Sequence, residues 1–417
     1  MAEFEITPEY ILRILDQTGD VSELNVSSLT EKGDNFAGKL LKVNFKLKTS
    51  KKESYYDLIF KIPSKSNFIG EIVRQMKGFQ REAYFYSVFA KLVHEWLKQN
   101  FKEINYALPI PHCNFVCMDT ELIVMENLKA KGYVMVERIG GQGIAECKIV
   151  MKTLGQYHGT SYAYIQSYDS DEAFIKSHPI LKDSSLDIVK QMFLNPEVQK
   201  GRKSHTNLIL DMLNNAFPSD IPLIEKARKF LSTDVEINQE MLDYYNVSEQ
   251  FINVVCHGDL WSNNMLFLYE EDVPIEVKFV DLQISKIASP VADIIQFLWM
   301  SARNDALVEH FQDLLHVYYE SFLNTTRNLN VKLDFTYEVF KKEVDRFGSF
   351  GFSLAFQTAL QIFARKEEVF SPNADTMKDA IDNYAEHIKL QMENENKLLN
   401  DRLIGLIRYG ETLKLFE

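Results

Sequence analysis

Three polar residues stand at the ends of apolar, strand-like runs and are spaced so that they can act together. The run Val254-Val255-Cys256 leads into His257-Gly258-Asp259, and Asn264 follows five residues after Asp259. A second run, Val277 to Val280, ends on Asp281, 22 residues after Asp259. A carboxylate at a strand end can take the proton of an attacking hydroxyl. An amide and a second carboxylate can hold Mg²⁺ against phosphate oxygens. The set therefore points to phosphoryl transfer, with Asp259 as base and Asn264 and Asp281 as metal ligands. Singly, each reads as a turn former, a loop amide or a strand end; the ordered set carries the chemistry. His257 reads as a residue that fixes the loop by hydrogen bonds, since Asp259 beside it already serves as base.

These residues need elements on both sides of a cleft. Thr7-Pro8 predicts a helix start. Val21 to Leu29, Leu40 to Lys48 and Tyr55 to Ile62 read as strands of an antiparallel sheet. Apolar residues near a 3.6 period predict one long helix from Ile69 to Lys98, and Asn114–Val116 with Glu121–Met125 predict a hairpin. Beyond Leu128 and the polar stretch Lys129-Ala130-Lys131-Gly132 the pattern is mostly helical. The predicted helices are Ile144–Ala163, Ser185–Phe193, Asn207–Leu231, Ala306–Leu323, Thr336–Phe363 and Asp375–Leu399. Only the region 251–281 interrupts them. The expectation is a small β-rich lobe over 1–128 and a larger helical lobe over 129–417.

Composition narrows the function. Of 417 residues, 46 are Lys or Arg and 59 Asp or Glu, a formal net charge of −13. That balance argues against nucleic-acid binding, which favours a basic face. Four Cys are too few for a disulfide scaffold and predict a reducing, cytoplasmic setting. Met1 to Asp16 lacks the order of a secretory signal, and no apolar run reaches the roughly 18–20 residues that span a bilayer. Cys113 and Cys117 with His112 lack the second pair a zinc site needs. His310 and His316 read as helix-face residues and His158 as a packing position.

The stretch His257-Gly258-Asp259-Leu260-Trp261-Ser262-Asn263-Asn264, followed by Val280-Asp281-Leu282-Gln283, resembles the aminoglycoside-phosphotransferase and choline-kinase-like superfamily. Within it, the Trp after Asp-Leu and the paired Asn residues resemble the insect ecdysteroid-kinase-like (CHK-kinase-like) family. The resemblance covers essentially the whole chain. It implies an α+β, bilobal, protein-kinase-like fold. It also implies an ATP- and Mg²⁺-dependent kinase acting on a hydroxyl of an ecdysteroid or similar apolar alcohol. Two other roles stay open, a detoxification kinase for plant or xenobiotic alcohols and a non-catalytic kinase-like binding protein. Family features fall on further residues. Lys61 matches the strand Lys that contacts phosphates, and Glu82 matches the helix Glu that pairs with it. Gly33-Asp34-Asn35-Phe36 stands where a phosphate-covering loop belongs, so Gly33 and Asn35 are candidates. Glu126-Asn127-Leu128 matches the interlobe connector, with the backbone of Glu126 and Leu128 facing adenine. Asp293 matches an Asp that supports the catalytic loop.

For the acceptor, Phe347-Gly348-Ser349-Phe350-Gly351-Phe352-Ser353 admits two readings, tight helix packing or an apolar pocket wall. Trp261 and Trp299 are further pocket candidates, with core packing as the alternative. On the wall reading, the acceptor is a largely apolar molecule of steroid size.

Overall fold

Alternation in the strand Gly38–Lys48 sets the first layer. Leu41, Val43, Phe45 and Leu47 are buried on one face, as the two-residue period of a strand requires. They pack with Ile11 and Ile14 of the helix Pro8–Leu15. Thr7 caps that helix, its hydroxyl accepting from the Tyr10 N–H at 3.2 Å. The computed structural model describes residues 5–29, 38–63, 68–104, 106–137, 139–182, 184–232, 246–363, 377–393 and 396–417.

The sheet comprises β1 (Asp20–Ser28), β2 (Gly38–Lys48), β3 (Glu53–Pro63), β4 (Cys113–Cys117) and β5 (Leu122–Glu126). Its order is β1-β2-β3-β5-β4, with antiparallel pairing throughout. β3 is thus the central strand. Leu58 and Phe60 join the core against the first helix, so the intervening Ile59 and Lys61 face the other way. β5 divides likewise: Leu122 and Val124 enter that core, Ile123 and Met125 the large one behind.

The rest is mainly helical, the α+β, bilobal, kinase-like arrangement expected. Its main core gathers around the paired helices Ile144–Ile165 and Asn304–Asn328 and the fully buried helix Val291–Ser301. Two small ladders interrupt it: β6 (Val254–Cys256) pairs with β9 (Lys286–Ala288), and β7 (Met265–Glu270) with β8 (Val273–Phe279). Among the described residues, no helix is long and apolar enough to cross a membrane.

Several predicted helices are divided. The stretch from Ile69 to Lys98 breaks into Phe68–Gln75, Gly78–Tyr84, a π turn and Ala90–Asn100. Lys77 adopts a left-handed φ of 55° there. A Cβ on Gly78 would lie 2.8 Å from Val73 Cγ1, so glycine lets the two short helices approach across the turn. Phe217-Pro218 ends the helix Pro196–Ala216 before Ile221–Ser232 begins. Phe347 separates Tyr337–Arg346 from Gly348–Phe363.

The segment around Gly351 is packing, which corrects the pocket-wall reading. A Cβ on Gly351 would sit 2.6 Å from both Ile295 Cγ2 and Trp299 Cδ1. Phe347, Phe350, Phe352 and Trp299 are all buried core residues. Gly351 therefore lets two helices approach closely.

Candidate active site

Gly258 makes the loop after β6 possible. Its φ is +84°, and a Cβ there would meet the Ile284 carbonyl oxygen at 2.2 Å, so only glycine fits. The loop is then pinned from three directions. Asp293 accepts from the His257 N–H at 2.7 Å and the Gly258 N–H at 2.8 Å. The His257 ring bonds the Val280 carbonyl through Nε2 at 2.8 Å, and its Nδ1 accepts from the Asp259 N–H at 3.2 Å. Those two bonds define a neutral ring, and burial pushes the His257 pKa down. His257 thus fixes the loop. Val280 N–H donates to the Asn264 carbonyl at 3.0 Å, tying the loop to the segment that ends on Asp281.

Asp259, Asn264 and Asp281 are brought together. The Asn264 amide nitrogen donates to the Asp259 backbone carbonyl at 2.8 Å and to Oδ2 at 3.1 Å. Burial, then the Asp281 charge, pushes the Asp259 carboxyl up to about 7, against donors on Gln296, Asn264 and Trp261 that favour its ionised form. Asp281 takes a left-handed φ of 67°, a conformation Asp tolerates better than most side chains. Its Oδ1 lies 2.6 Å from Lys61 Nζ.

Lys61 bridges the two halves. Its Nζ also lies 2.6 Å from Glu82 Oε2, and both side chains are buried. Burial alone would lower the Lys61 pKa, but the Asp281 and Glu82 carboxylates together hold it above the ordinary lysine value. Burial raises the Glu82 carboxyl despite the cation beside it. Arg81, the residue before Glu82, is fully buried. Its guanidinium donates to the carbonyls of Ile180 and Ser285 and to Ser185 Oγ at 3.1 Å. The helix carrying Glu82 is thereby fastened to the loop four residues past Asp281.

A cavity of about 410 Å³ opens between sheet and helical part. Leu40 and Ile59 line it from the sheet, Leu266 and Val280 from the helical part, and Lys61, Glu82, Asn264 and Asp281 supply polar groups. Glu126, Asn127 and Leu128 line it as well. Glu126 is held by the His112 N–H at 2.7 Å and by an ion pair with Lys131. Asn127 donates to Asp57 at 2.7 Å. Gly33 and Asn35 lie outside the described residues.

Two residues of the site escaped sequence reasoning. Gln296, on the Val291–Ser301 helix, donates to Asp259 Oδ1 at 3.0 Å. His158 is more than a packing residue: its ring bonds Asp293 at 3.1 Å and the Tyr318 hydroxyl at 2.9 Å. Its only sequence signal was a His on an apolar helix. Asp293 stays below the usual carboxylate range although burial opposes this, because His158 bonds it. His158, Cys256 and Asp293 present possible metal ligands within 4.8 Å of one another, but these hydrogen bonds already account for His158 and Asp293.

Among solved structures, the chain is similar to GDP complexes of aminoglycoside 2'-phosphotransferase-IIIa. A mutant form matches at 12% identity with a TM-score of 0.38, covering 94% of this chain and 100% of that one. The wild type matches at 12% identity with a TM-score of 0.36 and the same coverage. No curated protein matches the sequence. The model of the ecdysteroid kinase-like family matches residues 32–331, so the chain belongs to that family.

Proposed function

We propose that the protein is an ATP-dependent small-molecule kinase that transfers the γ-phosphoryl group to an acceptor hydroxyl. The observation that carries this reading is the convergence of Lys61, Glu82, Asp281 and Asn264 on one interlobe cleft, with the Asp259 carboxylate bonded to Asn264 at its edge. We take the lobes to divide near Leu128, with 1–128 binding nucleotide and 129–417 supplying base and acceptor site.

Asp259 is the base: its carboxylate orients the acceptor hydroxyl and takes its proton as the new P–O bond forms. Lys61, placed by Glu82, offsets phosphate charge. The apolar side chains of Leu40, Ile59, Leu266 and Val280 form a slot suited to a nucleobase, and Glu126, Asn127 and Leu128 line the same cavity. Asn264 and Asp281 suit Mg²⁺. The Asn264 amide nitrogen is committed to Asp259, which leaves its oxygen as donor, and Asp281 adds a carboxylate; hard oxygen ligands match this ion. When bound, Mg²⁺ would neutralise charge on the phosphates and relieve the repulsion between Asp281 and Asp259.

The acceptor we favour is an ecdysteroid or similar apolar alcohol. Family membership supports this, as do Met135, Val136 and Ile139, apolar residues lining the same cavity as Asn263 and Asn264. An ADP-release assay over steroids, plant alcohols, choline and aminoglycosides tests it. Steroid-like alcohols are expected to give the highest kcat/KM, and a polycation as best acceptor would overturn the acceptor class.

A further inference from the structure

One face of the Val291–Ser301 helix contacts four successive residues of the catalytic loop. Asp293 accepts from the N–H groups of His257 and Gly258. Three residues on, and so on the same face, Gln296 contacts the next two. Its Oε1 accepts from the Leu260 N–H at 3.2 Å, and its Nε2 donates to Asp259 Oδ1 at 3.0 Å. Gln296 is 6% exposed.

We propose that Gln296 is a positioning residue for phosphoryl transfer, its amide fixing the Asp259 carboxylate and the Leu260 backbone as one unit. The role needs a side chain that donates and accepts from a single planar group, which an amide does and a carboxylate does not. Asn264 holds Oδ2 as Gln296 holds Oδ1, so the carboxylate is gripped at both oxygens and cannot swing about its Cβ–Cγ bond. An ionised carboxylate offers about four lone-pair sites. Gln296 and Asn264 occupy one on each oxygen, which narrows the directions from which the acceptor hydroxyl can reach the base. Such restriction keeps the base in line with the reacting hydroxyl, where small misplacements cost large rate factors.

The inference rests on the phosphotransfer reading for its kinetic arm and on geometry alone for its structural arm. In the full chain, Gln296→Met removes both bonds. Gln296→Glu keeps an acceptor for the Leu260 N–H but, as a carboxylate, cannot donate to Asp259. Both variants are expected to fold, as judged by circular dichroism, and to lose roughly 10- to 100-fold in kcat, with KM for ATP within about twofold of wild type. Near-normal kcat in Gln296→Glu would make Gln296 a loop anchor only and overturn the proposal. The structural arm is a crystal structure of Gln296→Met, in which the Asp259 carboxylate is expected to have turned from its wild-type orientation. An unturned carboxylate overturns the proposal as well. A wild type that releases no ADP with any acceptor refutes the phosphotransfer reading instead, and the crystal structure then decides the inference by itself.

Discussion

Asp259 can act as a base only when ionised, and its surroundings resist ionisation. Burial and Asp281 push its carboxyl up to about 7, whereas an unfolded chain would have it near 4. Between those values the folded protein holds a proton that the unfolded chain has released. Stability from this group is present below the unfolded value and is lost as pH rises through about 7. Without nucleotide or metal, Asp259→Asn is therefore expected to unfold at a higher temperature than wild type at pH 8, the gap closing towards pH 4. Calorimetry of both proteins across that range measures it, and a gap that widens towards low pH would contradict the assigned environment. Lys61 gives the opposite case. Lys61→Met leaves the buried Glu82 without its cation and is expected to destabilise by about 3 kcal/mol and to raise KM for ATP tenfold or more. Asp259, Asn264 and Asp281 were readable from the sequence because their spacing is local and their types are chemical. Lys61 and Glu82 were readable only through family resemblance. Gln296 was not, since its partner lies 37 residues away and no motif links the two.

At the scale of elements, glycine spacing was the ambiguous signal. The two glycines of Phe347–Ser353 suited both a helix contact and a pocket, because both need space. Only the position of Trp299 and Ile295 separates the readings. Gly351→Ala is accordingly expected to destabilise by about 1–3 kcal/mol through overpacking, with KM for the acceptor unchanged; a raised acceptor KM at unaltered stability would restore the pocket wall. Strands of the five-stranded sheet were placed well from sequence, since alternation such as Leu41, Val43, Phe45 and Leu47 reports burial directly, whereas the three-residue strand Lys286–Ala288 was too short to show a pattern. The break at Lys77 was hidden because a lysine gives no sign of adopting a left-handed backbone. Arg81 fastens the Glu82 helix to the helical part, and Arg81→Lys, lacking the guanidinium fork, is expected to weaken MgATP binding more than it lowers kcat. Titration calorimetry with MgATP checks this.

Over the whole molecule, the cleft depends on both halves. β3 delivers Lys61, the Gly78–Tyr84 helix Glu82, and the helical part Asp259, Asn264 and Asp281. The bilobal organisation was evident from the order of strand and helix patterns. The acceptor surface was not, because apolar residues that face a ligand and those that face a core look alike in sequence. The central claim is that this cleft performs phosphoryl transfer with Asp259 as base. The most direct measurement is ADP release by wild type and Asp259→Asn with the best acceptor of the panel, alongside the MgATP-induced shift in melting temperature. Turnover is expected to fall by roughly 100-fold or more in the variant, with the MgATP shift retained because the nucleotide contacts remain. Near-wild-type turnover in Asp259→Asn would contradict the account.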